Sequence, residues 1–215
     1  MSHKIGRTTP LYPGTPPIQL SQHRSIARGD SSNLWFIGMA NHTGTHVDAP
    51  NHFYQNGRKI SEYMPDELVF TKVRLIDIPK KPGDEVSAKD LEPYLKVIKG
   101  CSLLLVRTGL QRFRSSDPEA YAGKGLLFSP SAATLIRKEA PELRGLGLDA
   151  ISVSTPLRRE EGRESHRILL SDNRFLIVED MDLEGKPSEY SYVIIAPLLL
   201  EEVDSAPCTV IGIIG

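Results

Sequence analysis

The stretch His42-Thr43-Gly44-Thr45-His46-Val47-Asp48-Ala49-Pro50-Asn51-His52-Phe53 holds three of the six histidines in a 215-residue chain. On a straight strand His42 and His46 would share a face yet stand about 13 Å apart at about 3.3 Å per residue, nearly out of reach of one ion. The backbone must therefore bend between them. Gly44, midway, takes dihedrals closed to other residues, and its missing side chain leaves room for an ion. A helix would also bring positions i and i+4 together, but two threonines, Gly44, Val47 and Pro50 disfavour one. We expect a loop leading into a strand. Asp48 lies two residues beyond His46, so on an extended backbone both side chains emerge on one face, roughly 6 to 7 Å apart.

Neutral imidazole nitrogen and carboxylate oxygen suit Zn²⁺ first, and also Mn²⁺ or Fe²⁺, because ligand type discriminates poorly among first-row divalent ions. A lone histidine is more often a structural residue satisfied by hydrogen bonds; a cluster at this spacing argues for a metal site at His42, His46 and Asp48. His52, past Pro50, need not face the same ion, and an acid–base or ligand-supporting role suits it.

Outward from this segment, strand-like apolar runs recur at 34–39, 68–78, 102–106, 145–153, 175–178, 192–196 and 209–214. Helical signals are fewer. Ser87 can cap 88–98, Ser129 or Ser131 can cap a helix reaching Glu139 before Pro141, and a third short helix includes 165–170. Many strands and about three helices, unevenly interspersed, predict an α/β fold with a mixed, barrel-like sheet and helices packed outside, rather than regular βαβ alternation. No Gly-rich phosphate fingerprint supports a dinucleotide site. Length favours one domain over 1–215.

Lys and Arg total 26 against 27 Asp and Glu, a formal net charge of -1, with no run of one sign that could track a phosphate backbone; nucleic acid is not an expected partner. The longest apolar runs fall well short of the ~20 residues of a membrane helix, and the first ten residues lack the apolar core of a secretory signal. A cytoplasmic protein acting on a small molecule is the expectation. Cys101 and Cys208, each beside apolar residues, read as buried thiols rather than a disulfide.

The segment His42 to His52 matches the pattern His-x-Gly-Thr-His-x-Asp-x-Pro-x-His in full, and Ser165-His166-Arg167-Ile168-Leu169-Leu170 followed by Phe175-Leu176-Ile177-Val178-Glu179 looks like a second signature. Together they resemble the cyclase family of metal-dependent hydrolases, which includes bacterial kynurenine formamidase and isatin hydrolase. Shorter matches at Tyr12-Pro13-Gly14, Arg107-Thr108-Gly109, Gly147-Leu148-Asp149 and Ala206-Pro207 spread the resemblance over the whole chain. It implies a swivelling β/β/α-type cyclase fold and a homodimer or larger homo-oligomer. It implies one or two divalent ions per subunit held by His42, His46, Asp48, His166 and Glu179, with Asp48 and Glu179 bridging, and it makes His52 catalytic. Tyr12 falls where formamidases carry a substrate-lining tryptophan. Ser154, Asp180 and Cys208 depart from the family pattern, standing where aspartate, glycine or asparagine, and arginine are usual.

Such a site would activate water against the carbonyl of an amide, formamide or cyclic amide. The resemblance implies arylformamidase activity on N-formyl-L-kynurenine, in tryptophan catabolism. Ring opening of a cyclic amide such as isatin would use the same chemistry, whereas a non-catalytic metal-containing binding module would retain ligand without turnover. Arg107 and Arg167 could anchor a substrate carboxylate, although an ordinary surface ion pair is the commoner fate of such residues.

Overall fold

The apolar runs of this sequence need cover on both faces, and the computed structural model, which describes residues 1–215, shows how they find it. Its strands are β1 (Gln19–Arg24), β2 (Leu34–Gly38), β3 (His46–Asp48), β4 (Val69–Phe70), β5 (Val73–Asp77), β6 (Glu85–Val86), β7 (Leu103–Arg107), β8 (Leu127–Phe128), β9 (Gly145–Leu148), β10 (Leu176–Glu179), β11 (Glu189–Tyr190), β12 (Tyr192–Pro197) and β13 (Ser205–Ile213). Nine of them form one strongly curled, half-barrel sheet in the order β11-β5-β7-β9-β10-β3-β13-β12-β4. Strands β5, β7, β9 and β10 are parallel neighbours; β3 enters antiparallel beside β10, and β13, β12 and β4 continue antiparallel. The expected mixed, barrel-like sheet is what forms.

The parallel strands are buried on both sides, which is why Leu103-Leu104-Leu105-Val106 is apolar without alternation. Leu104 and Val106 join one core with Ile136, Leu146, Leu148 and Ile177, under helix α4; Leu103 and Leu105 join a second with Val47, Phe70, Val178 and Val193 inside the curl. On that inner face Gly147 is a packing requirement, since a β-carbon there would stand 2.5 Å from Met181 Sδ and 2.6 Å from Leu105 Cδ2.

The helices are α1 (Ala88–Leu91), α2 (Leu95–Ile98), α3 (Phe113–Ser116), α4 (Pro130–Glu139) and α5 (Arg159–Leu169). The helix expected over 88–98 splits into α1 and α2 at Pro93, which lacks the N–H a continuous helix would use. Ser129 caps α4 by accepting from the Ala132 N–H, as expected, and α5 begins at Arg159, a turn and a half ahead of Ser165. The run 68–78 is interrupted at Thr71-Lys72 into β4 and β5. Strand β1, too polar to be expected, pairs with β2 as a hairpin that leaves Leu34 to Ile37 exposed. Both cysteines are buried and unpaired, and no helix is long and apolar enough to cross a membrane.

Helix α5 carries His166 and seats against the loop after β9 through Gly162. A β-carbon there would come within 2.9 Å of Ser154 Cα and closer still to its side chain. Gly162→Ala is expected to cost about 1 to 3 kcal/mol of stability by overpacking, while Gly123→Ala, with open space around it, should be nearly neutral. Denaturation midpoints of the two variants check this.

Candidate metal centre

Strand β3 is the centre of the site. Glu179, the last residue of β10, lies directly across from His46, and Ser205 of β13 lies across from Asp48. His46 and Asp48 do share one face, both essentially inaccessible to solvent. The bend before them is real: Gly44 has φ of +66°. The room left by the missing side chain of Gly44, however, is filled by Ile5, whose Cγ1 would lie 2.7 Å from a β-carbon there. Gly44 contributes instead its carbonyl, which accepts from His46 Nδ1 at 2.9 Å.

That anchoring repeats around the cluster. His166 Nδ1 donates to the Gly162 carbonyl at 2.8 Å, one turn back on α5. His42 Nε2 meets Asp204 Oδ2 at 3.1 Å and Ser205 Oγ at 3.0 Å. In each ring the other nitrogen turns inward: His42 Nδ1 lies 3.0 Å from Asp48 Oδ1, His46 Nε2 lies 3.4 Å from Asp48 Oδ1 and 3.3 Å from Glu179 Oε2, and His166 Nε2 lies 3.5 Å from Glu179 Oε1 and 3.9 Å from Asp48 Oδ2. Two ligands of one tetrahedral Zn²⁺ at about 2.0 to 2.2 Å stand roughly 3.3 to 3.5 Å apart, so most of these gaps suit a shared cation better than direct hydrogen bonds. His46 Nε2 and both Asp48 oxygens are fully buried without a hydrogen-bond partner. Buried polar atoms left so are costly, and a divalent cation would satisfy all three. Two donor groups could hold an ion, His46–Asp48–Glu179 and His42–Asp48–His52, and Asp48 belongs to both.

All five expected ligands thus converge, and His52 stands beside them, its ring 4.2 Å from that of His42 and 5.6 Å from that of His166. Its Nδ1 is engaged by Asp204 Oδ2 at 2.6 Å. Residues not singled out from the sequence complete the site. Ser152 Oγ and the Val153 N–H donate to Glu179 Oε1 at 3.0 and 2.7 Å, and Asn41 donates to Asp204 at 2.7 Å. Among the departures, Ser154 packs on α5 and lines the cavity. Asp180 accepts two-pronged hydrogen bonds from Arg114 and one from Tyr121, in a left-handed conformation at φ of +50°. Cys208 is buried in the inner core.

The cluster opens on a cavity of about 320 Å³, near the lower end of the roughly 300 to 1,000 Å³ usual for small-molecule sites. Tyr12 and Phe53 line it, as do two arginines of α5, Arg159 and Arg163. Arg163 lies one turn from His166, a helical spacing visible in the sequence. Arg107 is paired with Asp77, Arg167 lies over Phe53, and neither lines this cavity.

Residues 1–155 match the model of the Putative cyclase family, and the chain belongs to that family. A kynurenine formamidase from Geobacillus thermodenitrificans is 27% identical over 210 residues, covering 96% of this chain and 92% of the relative. Among solved structures, isatin hydrolase A from Labrenzia aggregata superposes with a TM-score of 0.80 at 20% identity, covering 97% of this chain and 90% of that one. A structure described as a potential metal-dependent hydrolase with cyclase activity gives 0.74 at 24% identity, covering 97% and 93%. These relatives support a hydrolase of this family.

Burial lowers the pKa of His42, but Asp48 and Asp204 outweigh it and raise it to about 10; His46 and His166 also end raised, by Asp48 and Glu179. Burial pushes Asp48, Glu179 and Asp204 up, yet the facing imidazoles bring all three below their ordinary values. In metal-free protein the raised histidines stabilise fully below their unfolded value of 6.5, and that stability is lost as pH climbs toward about 10. The depressed carboxylates stabilise above their ordinary 3.8 to 4.5, and that stability is lost on acidification. Metal-free protein is therefore expected to be most stable between about pH 4.5 and 6.5, whereas the stability gained on adding Zn²⁺ should grow with pH as protons cease to compete. Melting curves across pH, with and without metal, check both slopes.

Proposed function

We propose that this chain is a metal-dependent amidohydrolase that cleaves a formamide C–N bond, with N-formyl-L-kynurenine as substrate and kynurenine and formate as products. The observation that carries the reading is the convergence of His46 Nε2 and both Asp48 oxygens, buried and unpartnered, beside a substrate-sized cavity that His42, His46, His166 and Glu179 line. His42, His46, Asp48, His166 and Glu179 would hold one or two divalent ions, Zn²⁺ or alternatively Mn²⁺. A divalent cation in that cage supplies Lewis acidity, lowering the pKa of water and polarising a carbonyl.

The rest is done by side chains. Tyr12 and Phe53 flank an aryl ring and exclude bulk water. His52 takes a proton from the water that attacks the formyl carbon and returns it to the nitrogen as the C–N bond breaks. Arg159 offers its guanidinium group to a substrate carboxylate, and Arg163, which pairs with Glu160 one turn back on α5, can turn one face of its fork to the same group. This favours the amino-acid formamide over a neutral cyclic amide such as isatin, the alternative substrate. The half-exposed apolar residues Leu34 to Ile37 of β2 support the homodimer or larger homo-oligomer that the family resemblance implies.

Side-by-side turnover of N-formyl-L-kynurenine, an uncharged aryl formamide and isatin tests the reading. The first should be the best substrate, with activity abolished by chelation and restored by metal; turnover of isatin alone would replace this substrate, and no metal-dependent turnover of any would sink the proposal. Asp48→Asn should lose metal. His52→Ala should keep metal and fold while lowering kcat about 10² to 10⁴-fold, and unaltered turnover would remove His52 from the chemistry.

A further inference from the structure

We propose that Asp204 is the positioning residue of this site, a single carboxylate oxygen that fixes which nitrogen of His52 is free to move protons and which nitrogen of His42 faces inward. The inference deepens the hydrolase reading above and rests on it for its kinetic arm. Asp204 opens the segment that pairs with β3, and it is held in place from three directions. Its Oδ1 accepts from Asn41 Nδ2 at 2.7 Å, its backbone carbonyl accepts from the Ala49 N–H at 2.9 Å, and its neighbour Ser205 lies in register with Asp48. With Oδ1 occupied by Asn41, Oδ2 is left to two imidazoles, His52 Nδ1 at 2.6 Å and His42 Nε2 at 3.1 Å.

A carboxylate only accepts, and a neutral imidazole carries one N–H and one lone pair. His52 must therefore hold its proton on Nδ1, which leaves Nε2 with the lone pair that a base needs. His42 faces a carboxylate from each side, Asp204 at Nε2 and Asp48 at Nδ1 3.0 Å away, so without a cation it holds both protons, and a cation taken on the Nδ1 side would leave its remaining proton on Nε2. The two rings sit 4.2 Å apart, so one anionic oxygen between them holds an N–H of each. The other inward-facing histidines use backbone carbonyls of Gly44 and Gly162 for this purpose, and neither carbonyl carries a full charge.

Asp204→Asn is nearly isosteric but neutral: with its oxygen toward the two rings its NH2 meets the Asn41 Nδ2 donor, and with its NH2 toward the rings it opposes both ring protons. At saturating Zn²⁺ the variant is expected to lose about 10 to 100-fold in kcat with KM for N-formyl-L-kynurenine changed less than about threefold. A kcat within about threefold of the parent overturns the proposal, as does a KM that rises in step with any loss. Histidine ¹⁵N spectra of the metal-free parent protein at alkaline pH provide an arm that needs neither turnover nor the variant. The His52 proton should be found on Nδ1, and a proton on Nε2 overturns the assignment even if the variant fails to fold. If the parent hydrolyses none of the amides tried, the hydrolase reading fails while the spectra still decide the tautomer.

Discussion

Asp48 and Glu179 lie buried within 4 Å of the same imidazoles, and two carboxylates in that position demand positive charge. Everything else in the structure answers that demand or follows from it. Without a cation the site gathers protons onto His42, His46 and His166, which is the reason their pKa values rise against the effect of burial. With one, the same donor set provides neutral nitrogens and anionic oxygens aimed at a common point.

The sheet exists in the form that makes this convergence possible. A short strand, β3, is inserted between the last parallel strand and the long antiparallel β13, so that Glu179 arrives from one side and Ser205, with Asp204 just before it, from the other. Helix α5 closes the site from the outer layer and delivers His166, Arg159 and Arg163 from one element. Its approach is permitted by the absence of a side chain at Gly162, and the carbonyl of that residue orients His166.

How much of this was legible in the sequence follows the range of the interactions involved. His42, His46, Asp48 and His52 lie within eleven residues, so strand geometry and one glycine bend were enough to bring them together. His166 and Glu179 were reachable only through family resemblance, because their approach depends on the β3–β10 register and on helix packing, neither of which is written locally. Asp204, Asn41 and Ser152 gave no signal for the same reason. Arg163 does carry one, its spacing from His166, which has meaning only once α5 is known to extend back to Arg159. Gly44 was read correctly as a bend and incorrectly as an ion cavity, since sequence says nothing of Ile5 folding against it. In the sheet, apolar runs locate most strands, while β1 stays hidden because Leu20 is the one apolar residue between Gln19 and Arg24.

The most direct measurement is an anomalous diffraction map of crystals grown with Zn²⁺ or Mn²⁺, collected on either side of the metal's absorption edge. The account predicts an anomalous peak at about 2.0 to 2.2 Å from His46 Nε2, Asp48 and Glu179. A map with no peak there, or with the His42, His46 and Asp48 side chains turned away from one another, would contradict it.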